Sequence, residues 1–113
     1  MRYKLIFLIV NVVCLFYLSS CSNANNSFQS SEIAEDFPIP REAKLISFDK
    51  TSEQYTLTNV TEEDGLPESY RTEIEIRNWK EVDRLGAKYV FEKNGHKISL
   101  FIFTGKIELS KLQ

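Results

Sequence analysis

Between Lys88 and Phe103, apolar and polar side chains alternate on both sides of an Asn94-Gly95 pair. Asn-Gly suits a two-residue type I′ turn, because both positions need positive φ and the turn's twist matches that of paired strands. The sequence therefore predicts a hairpin with strands over 88–93 and 96–103. The turn sets the register, with Lys93 opposite His96, Glu92 opposite Lys97, Phe91 opposite Ile98 and Tyr89 opposite Leu100. One face then carries Tyr89, Phe91, Ile98, Leu100 and Ile102 and belongs in a core. The other carries Lys88, Val90, Glu92, Lys97, Ser99, Phe101 and Phe103.

Weaker alternation recurs on both sides of this hairpin. Ala43 to Phe48 and Gln54 to Val60 flank a polar turn, Asp49-Lys50-Thr51-Ser52-Glu53, and read as a second hairpin. Trp79 to Asp83 reads as a strand that turns at Arg84-Leu85-Gly86. After Thr104-Gly105, Ile107 and Leu109 mark a last strand. The period changes at Leu66, Tyr70 and Ile74, whose i, i+4, i+8 spacing predicts a helix over 67–77. Pro67 suits its first turn, Glu68 suits its positive end, and Asn78 can close it in left-handed geometry. A strand at 72–77 competes, since Ile74 and Ile76 alternate with Glu73 and Glu75. The sum is a single α+β domain over 37–113, β-β-α-β-β-β(-β), with one helix packed on a small antiparallel sheet.

The first residues follow another pattern. Met1-Arg2-Tyr3-Lys4 is a short positive start, and Leu5 to Leu18 is an apolar run broken only by Asn11. As a helix that run is about 21 Å long, short of a hydrocarbon core of about 30 Å, so it suits a cleaved signal better than a membrane span. An ordinary secretory signal and an uncleaved anchor helix are the alternatives. Leu18-Ser19-Ser20-Cys21 follows, and resembles the lipobox of bacterial lipoproteins at all four positions. The resemblance implies cleavage between Ser20 and Cys21 and a diacylglyceryl group on the Cys21 sulfur. The chain would then be held on the extracytoplasmic face of the cell membrane. Two acyl chains anchor stably where one is marginal. Cys14 would leave with the signal and Cys21 would be occupied, so no internal disulfide is expected.

Ser22 to Ser31 is small and polar apart from Ala24 and Phe28, and with Cys21 and the residues up to Asp36 it reads as a flexible tether over 21–36. Phe37-Pro38-Ile39-Pro40 stiffens the chain where the domain is expected to start. Pro38-x-Pro40, Leu66-Pro67-x-x-Tyr70, Trp79-Lys80 and Phe91-Glu92-Lys93-Asn94-Gly95 together resemble small uncharacterised lipoproteins of Gram-positive, Bacillus-like bacteria. That likeness is structural and implies no activity.

Composition narrows the function further. The chain carries 14 basic and 16 acidic residues, a net charge of −2. Loss of Arg2 and Lys4 with the signal would make it −4. An acidic domain of this kind has no footprint for nucleic acid. His96 is the single histidine, and no Cys/His spacing suits a metal. Glu62-Glu63-Asp64-Gly65 lacks the alternating ligands of a calcium loop and reads as a solvated turn. No Gly-x-Ser-x-Gly surrounds a serine. The expectation is a non-enzymatic accessory or protein-binding module without cofactor or metal, whose partners are the membrane and an envelope protein. A minor hydrolase would need a serine or carboxylate beside His96. A small-ligand sensor would need a pocket between helix and sheet, lined by Tyr70, Trp79 and Tyr89. Phe101 and Phe103 are the candidate partner-binding residues if their face stays open. The N-terminal segment or the last strand is expected to lie across them.

Overall fold

A computed structural model describes residues 27–34 and 36–112. In chain order they form β1 (Phe28–Ser30), β2 (Pro38–Pro40), β3 (Lys44–Phe48), β4 (Ser52–Thr56), α1 (Glu68–Ile76), β5 (Lys80–Leu85), β6 (Lys88–Lys93), β7 (His96–Phe103) and β8 (Lys106–Leu112). With eight strands and one helix among the described residues, the architecture is predominantly β rather than the α+β expected. The added strands are β1 and β2, which arise where a tether and a domain edge were predicted.

The β6–β7 hairpin forms in the predicted register, from Lys93 opposite His96 to Tyr89 opposite Leu100. Asn94 and Gly95 take φ of 52° and 82°, as a type I′ turn requires. The helix over 67–77 also forms. Leu66, Tyr70 and Ile74 are buried and Ile76 is exposed, so the 3.6-residue period outweighs the local alternation. Asn78, at φ 68°, ends it in left-handed geometry. The Asn78 N–H donates to the Glu75 carbonyl (2.9 Å) and the Trp79 N–H to that of Ile74 (3.2 Å), which together make a Schellman cap. The cap turns Trp79 inward.

Six strands make one antiparallel sheet in the order β3-β4-β8-β7-β6-β5. The last strand enters between β4 and β7, so the two sequence-local hairpins are joined through β8. One sheet face carries Tyr55, Tyr89, Phe91, Ile98, Leu100, Ile102, Ile107 and Leu109, all buried. Both edge strands are bulged, β3 between Leu45 and Ser47 and β5 between Glu81 and Asp83. Each bulge interrupts the hydrogen-bond ladder at an edge where Ile46 or Val82 is exposed, which discourages edge pairing.

The tether expected over 21–36 gives way to packed chain from Phe28 onward. β1 pairs antiparallel with β2, Phe28 opposite Pro40 and Ser30 opposite Pro38, as a separate two-stranded flap. Phe37 and Ile39 are fully buried. The Phe37 ring lies 5.4 Å from Trp79, 5.8 Å from Phe91 and 6.4 Å from Tyr70, centroid to centroid. Phe28 reaches Tyr70 at 5.9 Å. A few apolar residues spread through a polar stretch are thus enough to dock it, because each meets an aromatic already in the core. Cys21, the Ser20–Cys21 cleavage point and the signal segment lie outside the described residues.

Candidate functional site

The space between helix and sheet is filled. Tyr70, Trp79 and Tyr89, expected to line one pocket there, surround Phe37 and Phe91 in the core instead. The flap supplies the filling, and its ordering was not foreseen. Tyr89 also fixes the approach to the helix. The Leu66 N–H donates to its hydroxyl at 3.1 Å, and Arg84 lies 4.7 Å from its ring centroid. Gly65, at φ 67°, sits directly against the same hydroxyl, where a Cβ would collide. The neighbouring Glu62, Glu63 and Asp64 are exposed. Among the described residues, no group of three or more His, Cys, Asp or Glu side chains is placed to hold a metal ion.

Phe101 and Phe103 lie on the opposite sheet face, half-buried. Among the described residues the expected cover does not form: β8 pairs beside β7, and the flap packs on the other side. The two rings instead shield each other, stacked at 4.4 Å with 7° between planes, and Lys106 Nζ sits 4.6 Å from the Phe103 centroid. With Val90 on the same face, they form a small apolar strip.

A buried polar cluster escaped the sequence reading. Glu53, assigned there to an exposed turn, is 2% exposed and points inward from β4. Ser31 Oγ donates to its Oε1, and Tyr55 Oη donates to its Oε2 at 2.9 Å. The Ser31 hydroxyl also accepts from the Ile33 and Ala34 N–H groups at 3.2 and 3.3 Å. The cluster therefore ties the flap's loop to the sheet. Burial, and then the hydrogen bond to Glu53, push the Tyr55 hydroxyl well above its ordinary 10.0. Burial does the same for Tyr70. A signal was present, since Glu53, Tyr55 and Leu57 share one strand parity. The turn itself starts at Asp49, whose Oδ1 accepts from the Thr51 and Ser52 N–H groups at 2.8 and 2.9 Å. The Thr51 N–H, first among these donors, holds the Asp49 carboxyl below its ordinary 3.8.

Two cavities open beside the flap. One, of about 600 Å³, lies near Ser27, Phe28, Pro67 and Tyr70. The other, of about 370 Å³, lies at the β6–β7 turn. Trp79, Lys93, Asn94, His96, Lys97 and Lys111 line it. His96 is exposed and begins β7. Trp79 Nε1 and Tyr70 Oη are buried without a hydrogen-bond partner among the described residues. Trp79 lines the cavity at the β6–β7 turn and Tyr70 the other, in place of the single pocket between helix and sheet that a small-ligand sensor would need. Comparison with protein-family models, with curated proteins and with solved structures gives no match.

Proposed function

We propose that this chain is a lipid-anchored, extracytoplasmic binding module of the cell envelope without catalytic activity. The observation that carries the reading is Leu18-Ser19-Ser20-Cys21 placed after a positive start and the apolar run Leu5 to Leu18. Lipid on Cys21 concentrates the domain at the membrane, where a modest affinity suffices for a neighbour held at the same surface. The leash is short. β1 begins at Phe28, so only residues 22–27 separate it from Cys21. At about 3.3–3.6 Å per residue they reach about 20 Å at most. The domain works beside the bilayer and not far above it. The strip of Phe101 and Phe103, on the sheet face opposite the flap, is the surface on which an envelope protein would dock.

Mass spectrometry of the protein recovered from membranes tests the anchor. The expected species starts at Cys21 with a diacylglyceryl thioether, and Cys21→Ala abolishes that modification. A terminus at Met1, or a free thiol on Cys21, refutes it. Crosslinking of the native lipidated protein tests the partner surface. Phe101→Ser with Phe103→Ser should remove the crosslinked species while melting stays near that of the parent chain. Unchanged crosslinks would place the partner elsewhere.

A further inference from the structure

We propose that the cavity at the β6–β7 turn is a binding site for a small phosphate-bearing anion. This deepens the binding-module reading by naming a ligand class, and it rests on that reading only for where the ligand is met.

The lining is one-sided in charge. Lys93, Lys97 and Lys111 bring ammonium groups to it, and among the described residues no Asp or Glu lines it. The whole chain is net negative at −2, so this is a local reversal and not the general surface. Asp36 stands 3.7 Å from Lys93 Nζ and Glu92 stands 3.8 Å from Lys97 Nζ, outside the lining. Each offsets part of the charge of the lysine it meets, and Lys111 adds a third ammonium.

The donors are mixed in kind. Trp79 is 3% exposed, and its indole N–H has no hydrogen-bond partner among the described residues. Asn94 and His96 add an amide and an imidazole. A carboxylate offers two acceptor oxygens, whereas a phosphate group offers three and up to two charges. Three lysines with an amide and an imidazole suit the larger acceptor. Lysine recognises phosphate as a point charge, without the planar match that arginine needs.

The remaining wall is apolar, from Ile33, Ala34, Ile98 and Leu112. A volume of about 370 Å³ exceeds what a bare phosphate fills and lies at the small end of ligand pockets. The ligand is therefore a phosphate joined to a compact apolar body, either a free phosphate ester or a lipid headgroup with its first carbons.

Trp79 is the chain's only tryptophan, so its emission reports the site directly. The full lipidated protein would be placed in phosphatidylcholine vesicles and titrated with inorganic phosphate and with phenyl phosphate. A saturable change in emission is expected with both, tighter for phenyl phosphate. Lys93→Gln, and separately Lys97→Gln with Lys111→Gln, should each weaken it about tenfold or more at unchanged melting temperature. Replacing part of the phosphatidylcholine with phosphatidylglycerol distinguishes the sources. An emission change without added ligand, lost in the double lysine variant, assigns the headgroup; its absence alongside a phenyl phosphate response assigns a free ester. No saturable response to either probe, in emission or calorimetry, overturns the proposal. So does a response that the lysine variants leave intact. A chain that leaves the vesicles yet still titrates refutes the anchor alone.

Discussion

The β6–β7 hairpin and the β1–β2 flap meet at Phe91 and Phe37, and they are held in place by different means. The hairpin is specified locally. Its turn residues adopt the positive φ they favour, and six residue pairs follow in unbroken register. The flap has three pairs only, two of them involving prolines. What holds it is sent outward. Phe37 and Ile39 enter the shared core, Ser31 reaches Glu53, and Asp36 meets Arg77 at 3.3 Å and Lys93 at 3.7 Å. A segment with little preference of its own can thus be fixed as firmly as a hairpin, provided its anchors land in another element's interior.

Phe37→Ala tests that equivalence most severely. It should cost about 3–5 kcal/mol in urea unfolding, in the same range as Phe91→Ala. A cost below about 1 kcal/mol would show that the flap contributes little to the core. Gly65→Ala comes next and acts on the hairpin's side. Its left-handed φ and the collision with the Tyr89 hydroxyl together predict about 2–4 kcal/mol. Combining it with Tyr89→Phe should recover part of that loss, although the Leu66 N–H then lacks its acceptor. Ser31→Ala should cost about 1–3 kcal/mol, because Glu53 stays buried with one donor fewer. Proteolysis should show the loss as cleavage near residues 31–37 before the hairpin opens.

Tyr70→Phe is the mildest change. It deletes a buried hydroxyl that has no partner among the described residues, so stability near neutral pH should move by less than about 1 kcal/mol. Its effect grows in alkali. Tyr55 and Tyr70 have raised values in the folded state, so the fold favours their protonated forms. That contribution is complete below the unfolded value of about 10 and is lost as pH rises above it, because the unfolded chain ionises first. The parent protein should therefore lose stability above about pH 10, and Tyr70→Phe should lose less.

The contrast between hairpin and flap also explains what could be read in advance. The β6–β7 register, the helix and its Asn78 end depend on residues within a turn or two of one another, and each was legible. The flap depends on Phe28, Ile33, Ala34 and Phe37, apolar residues without a common period, whose aromatic partners are Tyr70 on α1, Trp79 at its end and Phe91 on β6. Glu53 shared the parity of Tyr55, but a lone carboxyl group in a polar stretch reads as solvated until Ser31 is brought to it. Phe101 and Phe103 were assigned to the right face, while the failure of the last strand to cover them followed from its pairing beside β7. The cavity at the β6–β7 turn draws Trp79, Lys93, His96 and Lys111 from three strands and a helix end. Of these, Trp79 and His96 stood out in the sequence, and nothing local linked them.

The placement of β8 has a consequence for the order of assembly. Its pairing sets Ser52 opposite Ser110 and Thr56 opposite Lys106, far apart along the chain. Closing so long a loop is slow compared with forming either hairpin. The β3–β4 ribbon must wait, with one rim open, until the final strand arrives to join it to the rest. A chain delivered across a membrane in extended form would pass through that half-assembled state each time, and the kinked rims of β3 and β5 would then guard it against pairing with its neighbours.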